Sequence, residues 1–353
     1  MRDHGGDWAG ILPGQRADLL DFSANISPLG MPAGALDAAV KAICEADRYP
    51  DPQCRALRRK LSHVHDIAEE KIVCGNGAAD LIWRICRCLQ PAKAFVPVPT
   101  FTEYEAALDA VGCGITRFPL QADEEFCLNA EAFARSIPEG TGLVFLCNPN
   151  NPTGRLLALD DGRRILNACR ECGAVLVVDE CFLDFTQRPD AHTLAGELEC
   201  APNLIILKAF TKTYAMAGLR LGYVLCGDAH LAERLSCEGQ PWPVSHPAQA
   251  AGAAALDDAG YPVRLRSLIE AERDRMHKAL AALNLCVIPG EANFLLFRCA
   301  DISLGEKLRE KGIVLRSCAD FPGLGEGWFR TAVRTPAEND RLLAAMGEVL
   351  DRG

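Results

Sequence analysis

The chain is short of positive charge. Its 353 residues carry 37 Lys and Arg against 47 Asp and Glu, a net charge of −10. That balance argues against a nucleic-acid partner, which requires a basic face. No apolar run approaches the ~20 residues that span a bilayer, and the opening Met1-Arg2-Asp3-His4-Gly5-Gly6 lacks the apolar core of a signal peptide. A cytoplasmic protein with no membrane partner is therefore expected. There is no internal repeat, no low-complexity tract and no long linker. The Gly-x-Gly-x-x-Gly fingerprint of dinucleotide sites is missing. So is a second cysteine pair or a His pair that could complete a zinc site with Cys169 and Cys172, and no metal is expected.

Cysteine itself is plentiful, at 17 residues. Most lie inside apolar runs, as Cys74, Cys147, Cys226 and Cys299 do, where a free thiol behaves as a small hydrophobe. Reduced thiols are the expected state. With 49% hydrophobic and 24% charged residues, the composition is that of an ordinary globular enzyme. The length suits one large and one smaller domain.

Apolar runs at 72–74, 94–98, 143–147, 174–178, 204–207 and 222–226 alternate with helical patterns. This predicts an α/β fold with a mostly parallel sheet between helices, whose ligand crevice lies at the carboxyl ends of the strands. A long helical stretch is expected from about 247 to 284, then shorter runs at 285–298, 313–317 and 328–333, and a last helix from about Pro336. The expected division is an N-terminal segment (1–45) packing on the small domain and the active site, a large domain (46–245) and a small α+β domain (246–353).

Four segments carry chemistry. Thr211-Lys212 follows the run Leu204–Leu207, with Arg220 eight residues after the lysine in Gly218-Leu219-Arg220-Leu221-Gly222. A lysine can form a Schiff base with an aldehyde cofactor, and an arginine can hold its phosphate bidentately. The run 143–147 ends in Asn148-Pro149-Asn150-Asn151-Pro152-Thr153-Gly154. Here Asn151, placed before a proline, is pushed out of the α region and its amide is left to donate. The run 174–178 ends in Asp179, and a buried carboxylate at a strand end can keep a pyridine nitrogen protonated. Gly75-Asn76-Gly77-Ala78-Ala79 joins a strand to a helix, exposing backbone N–H groups as a phosphate cradle.

In this order the four segments resemble the fold-type I pyridoxal phosphate enzymes of the aminotransferase superfamily, over nearly the whole chain. The resemblance implies pyridoxal 5'-phosphate on Lys212, with Asp179 on the pyridine nitrogen and Asn151 on the phenolic oxygen. It implies a seven-stranded large-domain sheet, and it sets Gly77, Ala78, Ala79, Thr211 and Arg220 around the phosphate. Tyr104 matches the aromatic that stacks on the ring. Tyr49 matches the tyrosine that reaches the neighbouring subunit's phosphate, which implies a homodimer with active sites near the interface. Because the cofactor supports several reactions, the residues on the substrate side decide among them. Arg330 matches the superfamily's α-carboxylate clamp. Arg316 suits a second substrate anion such as a phosphate, or is an edge-strand charge.

His4-Gly5-Gly6 and Leu20-Asp21-Phe22-Ser23-Ala24-Asn25-Ile26-Ser27-Pro28-Leu29-Gly30, together with Leu315–Leu324, are similar to one branch, the threonine-phosphate decarboxylases of cobalamin biosynthesis. That branch converts L-threonine O-3-phosphate to (R)-1-amino-2-propanol O-2-phosphate, and the match adds His4, Asn25 and Asn151 to the substrate side. His4 is also a candidate for a plain terminal histidine. The sister family of histidinol-phosphate aminotransferases, which use 2-oxoglutarate, usually has tyrosine where Phe182 stands. A regulator built on this fold would need a DNA-binding unit, and no basic helix-turn-helix pattern occurs.

Overall fold

Runs such as Leu143-Val144-Phe145-Leu146-Cys147 have no polar face, so they form strands only in a sheet covered on both sides. The structure, a computed structural model, describes residues 5–6 and 19–350 and has that sheet. Its strands, in chain order, are β1 (Leu20–Asp21), β2 (Ile72–Gly75), β3 (Lys93–Val98), β4 (Gly114–Pro119), β5 (Leu143–Cys147), β6 (Val175–Asp179), β7 (Leu204–Ala209), β8 (Gly222–Cys226), β9 (Cys286–Val287), β10 (Phe294–Arg298), β11 (Ile313–Val314), β12 (Arg316–Ser317) and β13 (Trp328–Ala332). Seven of them make the large sheet in the order β2-β8-β7-β6-β5-β3-β4. The strands from β4 to β7 run parallel, and β8 is antiparallel to both β7 and β2.

Alternate residues of these strands face opposite ways and feed two apolar clusters. Phe145, Val177, Ile205 and Val224 join one cluster, shared with Leu265, Met276, Phe294 and Phe297 of the C-terminal part. Val144, Leu146, Leu176 and Ile206 join the other, covered by Leu57, Leu61, Ile165 and Leu166. A third, smaller cluster sets Leu120 and Phe126 of the large domain against Ile288, Leu296, Cys318, Phe321 and Trp328 of the small one. The small domain carries a four-stranded sheet, β12-β13-β10-β9, antiparallel throughout. No described helix is long and apolar enough to cross a membrane.

Several expectations are refined. The stretch 247–284 is two helices, His246–Ala255 and Gly260–Ala282. Ala248, Ala251 and Ala255 of the first pack into the large domain's second cluster, so the large domain's core extends past residue 245. The N-terminal segment divides as well. β1 pairs in parallel with β11 of the small domain, while α1 (Ala33–Ile43) buries Ala35 and Ala39 in the large domain's second cluster. Strand β4 carries no apolar run in the sequence because it is a half-exposed edge strand bounded by glycine and proline. The run 313–317 is two short strands in different sheets, β11 and β12.

The turn from β2 into α2 (Gly77–Leu89) is tight against the start of β8. Gly77 has φ +81°, and a Cβ at Gly222 would stand 2.7 Å from the Ala78 nitrogen and 2.8 Å from the Gly77 carbonyl carbon. The atoms in the way are backbone and cannot rotate aside. Gly222→Ala should therefore destabilise the fold by about 1–3 kcal/mol and displace the α2 N-terminus. Thermal unfolding checks this, and an unchanged melting temperature would show that the turn yields.

Candidate active site

At the carboxyl ends of β5, β6 and β7 lies a cavity of about 440 Å³. Its first wall is the N-terminus of α2, where Ala78 and Ala79 line the cavity with Thr211 and Arg220. The first N–H groups of a helix have no intrahelical partner and favour an anion. Arg220 adds a formal charge and lies so close to Gly77 that a Cβ there would meet Nη2 at 2.7 Å. Its backbone is left-handed, φ +62°, held by the turn that bonds Arg220 N to Met216 O at 3.2 Å. Asp80 accepts from Asn76 N at 2.8 Å and pairs with the buried Arg84 at 2.7 Å, bracing the same turn.

Lys212 lies on the single helical turn Phe210–Thr213 that follows β7. Burial, with the charges of Arg330 and Arg220, pulls its amine down to about 8. A lysine so tuned is partly neutral, hence nucleophilic, near neutral pH. Asp179, the last residue of β6, is buried. It accepts Cys181 N at 3.0 Å on Oδ1 and the Tyr104 hydroxyl at 2.7 Å on Oδ2. Burial pushes its carboxyl above the usual range, while the donors from Cys181 and Tyr104 act the other way. A cationic partner in the cavity would relieve that burial penalty.

The expected ring-stacker is placed differently. Tyr104 is fully buried and lies flat on Phe145, with centroids 4.7 Å apart and planes within 4°. The aromatic that lines the cavity is Phe101, edge-on to Tyr104 at 5.6 Å. The reason is the tyrosine's polar tip, since a buried hydroxyl needs a partner and Asp179 supplies it. Cys147, Cys181 and Phe182 also line the cavity. The two thiols, read from sequence only as small hydrophobes in apolar runs or not at all, are pushed up by burial and by Asp179 and stay protonated.

On the substrate side, β12 and β13 set Arg316 directly opposite Arg330, and both line the cavity. Arg330 donates from Nη1 to Asn151 Oδ1 and from Nη2 to Ser23 O at 2.9 Å. Burial lowers it to about 10, so it remains a cation. With Oδ1 of Asn151 taken by a guanidinium, the NH2 of that amide is the group left to donate. Asn25 lines the cavity, buried, with an Oδ1 that has no partner among the described residues. Tyr49 stands apart from the cavity, 76% exposed and stacked on Trp242 at 4.2 Å. His4 lies outside the described residues, although Gly5 lines the cavity beside Ser23.

A partly neutral lysine, a buried carboxylate and an anion cradle in one crevice define a pyridoxal phosphate enzyme. The comparisons agree. The family model "Aminotransferase class I and II" matches residues 17–346, and the chain belongs to that family. It is 37% identical to a threonine-phosphate decarboxylase of Salmonella typhimurium, covering 97% of this chain and 93% of the relative. It is 32% identical to a histidinol-phosphate aminotransferase of Desulfitobacterium hafniense, over 94% and 92%. Among solved structures, the histidinol-phosphate aminotransferase from Clostridium acetobutylicum superposes with a TM-score of 0.88 at 29% identity, covering 95% of this chain and 100% of that one. The residues present fit the cofactor, since Lys212 can take the aldehyde, the α2 N-terminus with Arg220 the phosphate, and Asp179 the ring nitrogen.

Two outcomes follow for the site. The Lys212 amine attacks only when neutral, so binding of pyridoxal phosphate to cofactor-free protein should accelerate with rising pH through a midpoint of about 8. Stopped-flow absorbance reads this, and a midpoint at the ordinary 10.5 would contradict the burial argument. Tyr104→Phe removes a hydrogen bond to a buried carboxylate, a loss of about 1.5–3 kcal/mol. It should weaken cofactor retention on dialysis, and unchanged retention would mean that Cys181 alone supports Asp179.

Proposed function

We propose that the protein decarboxylates L-threonine O-3-phosphate to (R)-1-amino-2-propanol O-2-phosphate, an aminopropanol phosphate of the kind used in cobalamin assembly. The observation that carries this reading is the opposed pair Arg316 and Arg330 at the cavity wall. Two cations suit a single substrate that bears both an α-carboxylate and a phosphate. The 37% identity to a threonine-phosphate decarboxylase supports the same reading.

Pyridoxal phosphate, when bound, supplies an electron sink. The chain supplies the rest. Arg330 binds the α-carboxylate bidentately, a task for which its planar fork is suited, and Ser23 O and Asn151 fix its orientation. Arg316 binds the phosphate, with Asn25 beside the substrate. This grip turns the bond to the carboxylate toward the cofactor. With the cofactor bound, Asp179 would hold a proton at the ring nitrogen, the Asn151 amide would donate to the ring oxygen, and Phe101 would pack against the ring. The carbon–carbon bond breaks, carbon dioxide leaves with the carboxylate oxygens, and the retained electron pair takes a proton at Cα from Lys212 Nζ. An amine near its own midpoint at neutral pH can both accept and return that proton.

A homodimer in the cytoplasm completes the proposal. Leu36, Val40 and Ile43 are exposed on α1 at helical spacing, and Leu29, Tyr49 and Trp242 are exposed as well. Apolar exposure of that extent suits a partner copy, whose cofactor phosphate Tyr49 would reach. The second reading, histidinol-phosphate transamination, has the 32% relatives in its favour. One experiment separates the two. Loaded protein given L-threonine O-3-phosphate should release carbon dioxide and aminopropanol phosphate, and given histidinol phosphate with 2-oxoglutarate should yield no glutamate. Glutamate without carbon dioxide would replace the decarboxylase with the aminotransferase.

A further inference from the structure

Arg316 is buried and closely held. Its guanidinium lies over Phe321 at 5.3 Å, Nη1 donates to Ser317 O at 2.6 Å, and Nη2 donates to Asp320 Oδ1 and Oδ2 at 2.9 and 2.8 Å. A carboxylate already sits where a substrate anion would bind. The two ends of the pair differ in exposure, 5% for the Arg316 side chain and 37% for that of Asp320. Among the described residues, the hydrogen bonds of the Asp320 carboxylate all come from Arg316. The arginine is thus fixed, and the carboxylate is free to turn into water.

The backbone around Asp320 does not need to move for that to happen. Cys318 and Phe321 are anchored in the third apolar cluster, and Phe321 N bonds Cys318 O at 3.1 Å. Gly323, at φ +88°, lies so close to the large domain that a Cβ would meet Pro99 N at 3.1 Å. A rotation of the Asp320 side chain is enough to release the two bonds that this carboxylate accepts from Arg316.

We propose that Asp320 is a charge filter on Arg316, holding the guanidinium against carboxylate ligands and yielding it to phosphate. This rests on the reading that Arg316 receives the substrate's phosphate. The physical basis is competition at one site. A tethered carboxylate acts at a high effective concentration, so a free carboxylate of the same charge and geometry gains little by displacing it. A phosphate carries about −1.5 to −2 charge near neutral pH and three acceptor oxygens, and forms the stronger charge-assisted contact. Specificity is a difference of affinities, and a resident competitor widens it. The ligands so rejected are dicarboxylates, the class of amino donors and acceptors that transamination needs. Asp320 thereby selects against the second substrate of the rival reaction.

The test is direct binding to the pyridoxal phosphate-loaded protein by calorimetry, with inorganic phosphate and glutarate as the two probes. For Asp320→Asn, glutarate affinity should rise by about tenfold or more, the scale of one lost charge-assisted competitor, and phosphate affinity by clearly less. Asp320→Ala should do the same, which separates the charge from the shape of the amide. Equal gains for both probes would overturn the filter, because Asp320 would then block without discriminating. Unchanged or weaker binding in both variants would overturn it too and leave Asp320 as a residue that positions Arg316. Arg316→Met should lose affinity for both probes. Wild-type phosphate affinity in that variant would remove the phosphate reading of Arg316 itself, a failure distinct from that of the filter.

Discussion

The site depends on a buried ion pair beneath it. Glu180, next to Asp179, is fully buried, and Lys208 stands four residues before Lys212. Lys208 Nζ lies 3.1 Å from Asp184 Oδ1 and 3.7 Å from Glu180 Oε2. Burial works against its charge, but Asp184 and Glu180 together hold it above its usual range. Glu180 further accepts two contacts from Thr193 Oγ1 and one from Leu194 N, and Thr213, beside Lys212, reaches Asp184 at 3.4 Å. The neighbouring strand ends that carry the carboxylate and the lysine are thus tied through the buried Lys208 and Glu180 and the half-buried Asp184. Breaking such a pair on one side costs ~3–5 kcal/mol, so the two chemical groups keep a set separation.

Above this base, the charges are graded by burial. Asp179 is pushed up and Lys212 down, so both are brought toward the range in which protons move near neutrality. Arg330 stays a cation because even a large loss of hydration leaves it at about 10. The small domain contributes both arginines on paired strands, and its third apolar cluster joins it to the large domain close to Phe321 and the Asp320 turn. The two guanidiniums at the cavity therefore come from one domain, and Lys212, Asp179 and the α2 N-terminus from the other.

Much of this was legible beforehand, for local reasons. Strands buried on both faces read as unbroken apolar runs, and functional residues at their ends stand out as the first polar groups after them. Asp179 and the Gly77 turn are of this kind, whereas Lys212 comes after Lys208 and Thr211. Strand β4, half exposed and bounded by Gly and Pro, has no such signature, and that Cys147 lines the cavity is invisible because apolar runs hide which face a residue takes. Tyr104 and Phe101 show the same limit. Three residues apart in one motif, they take different places once a buried hydroxyl must find an acceptor: Tyr104 turns to Asp179 and Phe101 lines the cavity.

By itself the sequence determined the family of chemistry, because lysine, aspartate, arginine and the glycine turn each lie at a strand end where local hydrogen bonding and chain stiffness already orient them. The tertiary structure alone decided which aromatic faces the cavity, how far Lys212 and Asp179 are shifted, and that Asp320 shares Arg316. Those outcomes depend on distances between segments far apart in the chain and on the water they exclude, and neither quantity is written in any local stretch of residues.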